Sequence, residues 1–166
     1  MITKNNKGLF NIGTVLAMNR SNDEEYSRQL LALNDSLDPY GLALTPQQTR
    51  ELLDTRRRAL NDNHRVEMGV GAIVPLTKKF ARSSFLDAGN FAEGMNVILE
   101  MFYYYKTETR DVIPDDELID MLYDWFEHKY QGDLELMQND YFQKAGKNAA
   151  EENAEEYDEL IAEQDS

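Results

Sequence analysis

The chain of 166 residues contains no cysteine, which removes disulfides, thiolate catalysis and cysteine metal sites together. A mean hydropathy of -0.63, without a long apolar run, excludes a membrane-spanning helix. The formal net charge of -14 disfavours direct binding to duplex DNA, because the whole-molecule field repels phosphates.

Residues 1–20 show no clear period and read as a flexible N-terminal arm. Ser21 and Glu24 have capping-box spacing, so a first helix is predicted from there to about Asn34, with Leu30, Leu31 and Leu33 apolar. Asp38-Pro39-Tyr40-Gly41 is a turn signal. Thr45-Pro46-Gln47-Gln48 starts a second helix. Thr45 can cap it, Pro46 loses no needed N–H, and Gln48 closes the box. That helix runs to about Leu60. Val66 to Met68 suits a short extended piece, and Gly69 and Gly71 precede a third helix over 73–82.

Asp87 can cap a fourth helix over 88–107, whose stripe is Phe91, Met95, Ile98, Phe102 and Tyr105, spaced at the helical period. Pro114 opens a fifth helix, with Asp115, Asp116 and Glu117 complementing the positive end of its dipole. Leu118, Met121, Leu122, Trp125 and Phe126 form its apolar face, and Asp120, Asp124 and Glu127 lie opposite. Gly132-Asp133 begins a sixth helix, with Leu134, Met137 and Tyr141 inward. The expected organisation is an all-α compact bundle of about six helices over residues 21–146. Residues 147–166, with eight acids and one base, form an acidic tail, either disordered or an isolated helix.

Charge is split along the chain. Residues 50–82 carry eight bases against four acids, whereas residues 108–166 carry nineteen acids against four bases. The two segments are expected to attract one another.

Several stretches resemble an uncharacterised family of small helical bacterial proteins, a domain of unknown function found mainly in Gram-positive bacteria. They are Tyr40 to Thr45, Arg65 to Pro75, Phe102 to Thr109, Asp115 to Ile119 and Gln131 to Glu135. The resemblance spans about residues 26–140. It implies a bacterial, cytoplasmic, helical protein and supplies no activity, cofactor or catalytic residue. Pro114 stands where the family pattern has a capping serine, and the long acidic tail is not part of that pattern.

No catalytic set is visible. His64 and His128 are the two histidines; Asp124 and His128 share a helical face, but no Glu-x-x-His pair accompanies them. No Gly-x-Ser-x-Gly elbow occurs. Gly69-Val70-Gly71 lacks the rest of a nucleotide-binding pattern, and a tight turn is the favoured reading over an anion site. No cofactor or metal is therefore expected.

Arg50 and Arg57 share a helix face and suit either an anchor for phosphate, RNA or an acidic partner, or pairing within the chain to the fifth helix or tail, the second being favoured. Tyr105 continues the apolar stripe of the fourth helix. Tyr103 and Tyr104 point elsewhere, either into packing or onto an exposed surface, where tyrosines make good interface anchors. Asp120, Asp124 and Glu127 form an acidic face.

Candidate partner-binding residues are thus Tyr103, Tyr104, Arg50, Arg57, Asp120, Asp124 and Glu127. The leading expectation is a non-enzymatic protein-interaction module, an adaptor or regulator with a protein partner. One alternative is an acidic nucleic-acid mimic or inhibitor occupying the basic groove of a DNA- or RNA-handling protein. Another is a small-ligand binder or enzyme with a pocket near Glu67, Gly69 and Gly71. Homo-oligomerisation stays open, and a membrane partner is not expected.

Overall fold

A computed structural model describes residues 12–144, with side chains from residue 22 onward. Among the described residues the fold is all-α, without a strand. Helix α1 spans Ile12–Leu31, α2 Asn34–Leu37, α3 Pro46–Asp62, α4 Ile73–Phe80, α5 Phe91–Glu108 and α6 Asp115–Asp124. A π turn covers Trp125–Lys129, and a last helix, α7, occupies 134–144. No described helix is long and apolar enough to cross a membrane. Gly146 and the tail over 147–166 lie outside the described residues. The chain falls into two units, one ending at Tyr123 and one starting at Asp124.

In the first unit, α3 starts as its sequence dictates. Gln48 N–H donates to Thr45 Oγ1 (3.1 Å), and Thr45 N–H donates to Gln48 Oε1 (2.9 Å). The box satisfies two amides that have no partner inside a helix. At α1 the prediction fails. That helix begins at Ile12, so the Ser21–Glu24 spacing lies within it and marks no start. Residues 12–20 of the expected arm are helical, and residues 1–11 lie outside the described residues.

Asp87 caps the turn ahead of α5: its Oδ1 accepts from Gly89 N–H (2.8 Å) and Asn90 N–H (3.2 Å), and Asn90 then stands at the helix end. The α5 stripe is buried at Phe91, Met95, Ile98 and Phe102 and reaches the surface at Tyr105, which is half-buried. Helix α5 packs against α3 and α4. Helix α1 also packs on α3, where Ser27 and Thr49 share a buried hydroxyl–hydroxyl bond of 2.6 Å. Asn34 fixes the entry to α3. Its amide donates to Leu44 O (2.9 Å) and accepts from Leu44 N–H (2.7 Å), while Leu42 and Leu44 are buried.

Helix α6 buries Leu118, Ile119 and Leu122, whereas Met121, expected on its apolar face, is exposed. Tyr123 stands edge-on to Phe80 of α4 at 5.4 Å, beneath the Lys79 ammonium. In the second unit the π turn is closed by Tyr130 N–H donating to Trp125 O (2.8 Å), and α7 buries Met137 and Tyr141.

Candidate functional site

Helix α3 carries Arg56 and helix α5 carries Tyr103, both turned toward the loop that joins α3 to α4. Arg56 is 7% exposed. Its Nε donates to Glu67 Oε1 (2.8 Å) and its Nη2 to the Glu67 carbonyl (3.0 Å). The Tyr103 hydroxyl donates to the same Oε1, and Ala72 N–H reaches it at 3.3 Å. One carboxylate oxygen thus gathers a guanidinium, a phenol and a backbone amide. Burial, then the hydrogen bond to Glu67 and its negative charge, push the Tyr103 hydroxyl far above the usual tyrosine range.

Two glycines shape the loop. Gly69 and Gly71 both have positive φ, +62° and +56°. A Cβ on Gly71 would fall 1.5 Å from Glu67 Oε1. The Gly-x-Gly turn therefore does face an anion, and that anion is the chain's own carboxylate. The sequence favoured a tight turn; what the turn admits closely is a side chain.

A second anchor holds the front of the loop. Arg65 grips Asp111 with both guanidinium nitrogens, at 3.1 and 2.5 Å, and its Nη1 lies 3.4 Å from Thr107 Oγ1. The paired guanidinium holds the Asp111 carboxyl below the ordinary carboxylate range, and Asp111 raises Arg65 in return. His64, Arg110 and Asp111 all adopt positive φ (55°, 53° and 59°), a conformation non-glycine residues take at some cost. Lys106, buried at the end of α5, donates to Ile113 O (2.7 Å) and pairs with Asp115 (2.6 Å), fixing the other side of the 109–114 loop.

These anchors invert the usual facing of the chain. Over residues 65–68 the charged side chains Arg65 and Glu67 turn inward. Val66 (95% exposed) and Met68 (87%) face solvent, as does Val112 (79%) beside Asp111. Single exposed apolar residues are ordinary. Here three of them flank one ion pair on two tethered loops.

The residues singled out by sequence do not assemble into one site. Tyr103, which the sequence left with Tyr104 between packing and a surface anchor, is 1% exposed and belongs to the core; its hydroxyl is spent on Glu67. Tyr104 is half-buried and meets the Tyr105 ring edge-on at 5.1 Å. Arg50 is exposed and bonds Gln47 (3.3 Å). Arg57 does pair within the chain, but with Asp23 of α1 (2.6 Å) and Asp54 of its own helix (3.0 Å), because α1 lies along α3. Helix α6 takes lysines instead: Asp120 pairs with Lys79 (3.0 Å) and Asp115 with Lys106.

In the second unit Asp124 is exposed and faces His128 at 3.6 Å. Glu127, expected on the face of Asp120 and Asp124, lies within the π turn and is half-buried, with Oε1 enclosed and without a hydrogen bond. Among the described residues no group of three or more Asp, Glu or His side chains could hold a metal ion. A cleft of about 160 Å³ lies beside the buried pair, lined by Asp23, Tyr26, Leu53, Arg56, Arg57 and Glu67; neither Gly69 nor Gly71 borders it.

Sequence reasoning missed Arg56, Arg65, Asp111 and the exposed Val66, Met68 and Val112 as site residues. The one trace available was the charged–apolar alternation from Arg65 to Met68, which does not say which side faces water. No curated protein and no solved structure matches the chain. The family model described as a family of unknown function, DUF6323, matches residues 29–155, a span that includes Arg56, Glu67, Tyr103 and both tethered loops, and the chain belongs to that family.

Proposed function

We propose that this protein is a non-enzymatic interaction module, an adaptor or regulator, that engages a protein partner through Val66, Met68 and Val112. The inverted facing of residues 65–68 carries this reading. A flexible loop would hide two large apolar side chains by rotating. Here Glu67 and Arg65 are each held by two or more hydrogen bonds, so Val66 and Met68 cannot turn in without breaking them. Pre-ordered apolar groups lose little further freedom on binding, which favours association. A bacterial cytoplasm suits a chain without cysteine.

The test uses the full chain carrying an affinity handle in the cell that encodes it, compared with the V66D/M68D double variant. The wild type should recover a stoichiometric partner that the double variant loses, with helix content and melting temperature unchanged. Equal recovery by both proteins would remove the reading.

A further inference from the structure

Resting on that reading, we infer that the partner binds as an extended strand that pairs with the backbone of Val66 and Met68 and carries apolar side chains between basic ends. Residues 65–68 form neither helix, turn nor bend, and none has a positive φ. In a chain of that shape, the N–H and C=O of one residue point to one edge and those of its neighbours to the other.

The edge of Arg65 and Glu67 is occupied by this chain: Arg65 N–H donates to Leu60 O (2.8 Å), and Glu67 O accepts from Arg56 (3.0 Å). Among the described residues the N–H groups of Val66 and Met68 and the Val66 carbonyl make no hydrogen bond, while the Met68 carbonyl opens the turn that follows over 69–72. Such an open edge is a template for another strand. Its three open backbone groups and two aligned apolar side chains fit an incoming strand in which every second residue is apolar.

Charge selects the ends. The segment tethered to this edge through Asp111, from the end of α5 to the first turn of α6 (108–117), holds five acids and one base; Arg65 and Lys106 pair with Asp111 and Asp115, which leaves the group with a net charge of -2. Lysine or arginine at the ends of the strand would be drawn to it, and acidic ends repelled. A helical ligand could cover Val66 and Met68 but would leave the open backbone groups unpaired.

The experiment selects linear peptides from a phage-displayed library on the immobilised full chain, with counter-selection on V66D/M68D. Selected peptides should alternate apolar and polar residues between basic ends and should bind more weakly as salt rises. N-methylation at alternate residues should weaken binding by about ten-fold, the loss of one edge hydrogen bond, while methylation at the residues between should be tolerated. The amides of Val66 and Met68 should become protected from hydrogen exchange. Selected peptides with helical spacing, or tolerance of N-methylation throughout, would overturn strand pairing while leaving a partner surface at Val66 and Met68. Failure to enrich any peptide that depends on those two residues would overturn it as well. The separate recovery of the native partner by V66D/M68D would tell whether the interaction reading falls with it.

Discussion

Gly71 stands so close to Glu67 that a Cβ on it would lie 1.5 Å from the carboxylate oxygen that binds Arg56, Tyr103 and Ala72. The backbone of this glycine is one wall of the carboxylate's pocket. Its positive φ makes the requirement for glycine twofold: conformation and space.

Gly69 separates those two causes. It shares the positive φ, but an added Cβ there meets nothing within 4 Å. Gly69→Ala should lower unfolding free energy by about 1 kcal/mol, from strain alone. Gly71→Ala should cost clearly more, about 3 kcal/mol, because Glu67 must leave its pocket. Urea unfolding of both variants measures the difference, and equal losses would show that Glu67 gives way freely.

The pair Arg56–Glu67 is largely buried, so breaking it from either side leaves a charge without its partner. Glu67→Gln and Arg56→Met should each destabilise by about 3 kcal/mol. The double variant should lose much less than the sum, because no orphan charge survives in it. A double-mutant cycle by denaturant titration gives the coupling, and additive losses would contradict the pairing.

The Tyr103 hydroxyl stays protonated in the folded protein well past the point where a free tyrosine ionises. A group whose folded pKa is raised contributes stability fully present below its unfolded value of 10.0 and lost as pH climbs above it. Stability should therefore fall above about pH 10. Tyr103→Phe should flatten that fall while costing about 1 kcal/mol at neutral pH. Unfolding curves from pH 8 to pH 11 decide, and an unchanged alkaline slope in the variant would assign it to other groups.

Asp111 behaves in the opposite sense. Its carboxyl is held below the ordinary aspartate value of 3.8 by Arg65, so its contribution is present above that value and fades as pH drops through the lower folded pKa. Asn suits the positive φ at this position, so Asp111→Asn removes the charge without adding strain. Hydrogen exchange of the amides over 109–113 should quicken in the variant, and the carboxyl carbon resonance of Asp111 in the wild type should titrate below 3.8. A midpoint at or above that value would mean that the fork does not persist in solution.

Elements governed by local rules were legible. Thr45-Pro46-Gln47-Gln48 caps α3 as its side chains demand, and the Phe91-to-Phe102 stripe is buried at the expected period. The miss at Ser21 has a local origin too. Capping-box spacing recurs inside helices, and whether a helix continues upstream depends on its packing rather than on the box. The π turn that holds Glu127 was not legible, because the residue spacing around it does not differ from that of an α-helix.

By itself, the order of residues determined the helical class, most helix positions, the turn at Gly69 and Gly71 and the charge imbalance, because spacing, caps and composition act over a few residues. Tertiary structure alone decided that Glu67 meets Arg56 and Tyr103, eleven and thirty-six positions away, and that Arg65 meets Asp111 across forty-six. Those meetings settle which way residues 65–68 face. An alternation of charged and apolar side chains is symmetric until something in the interior can satisfy one set. Here buried hydrogen-bond partners await the charges, so the apolar residues are the ones left in water.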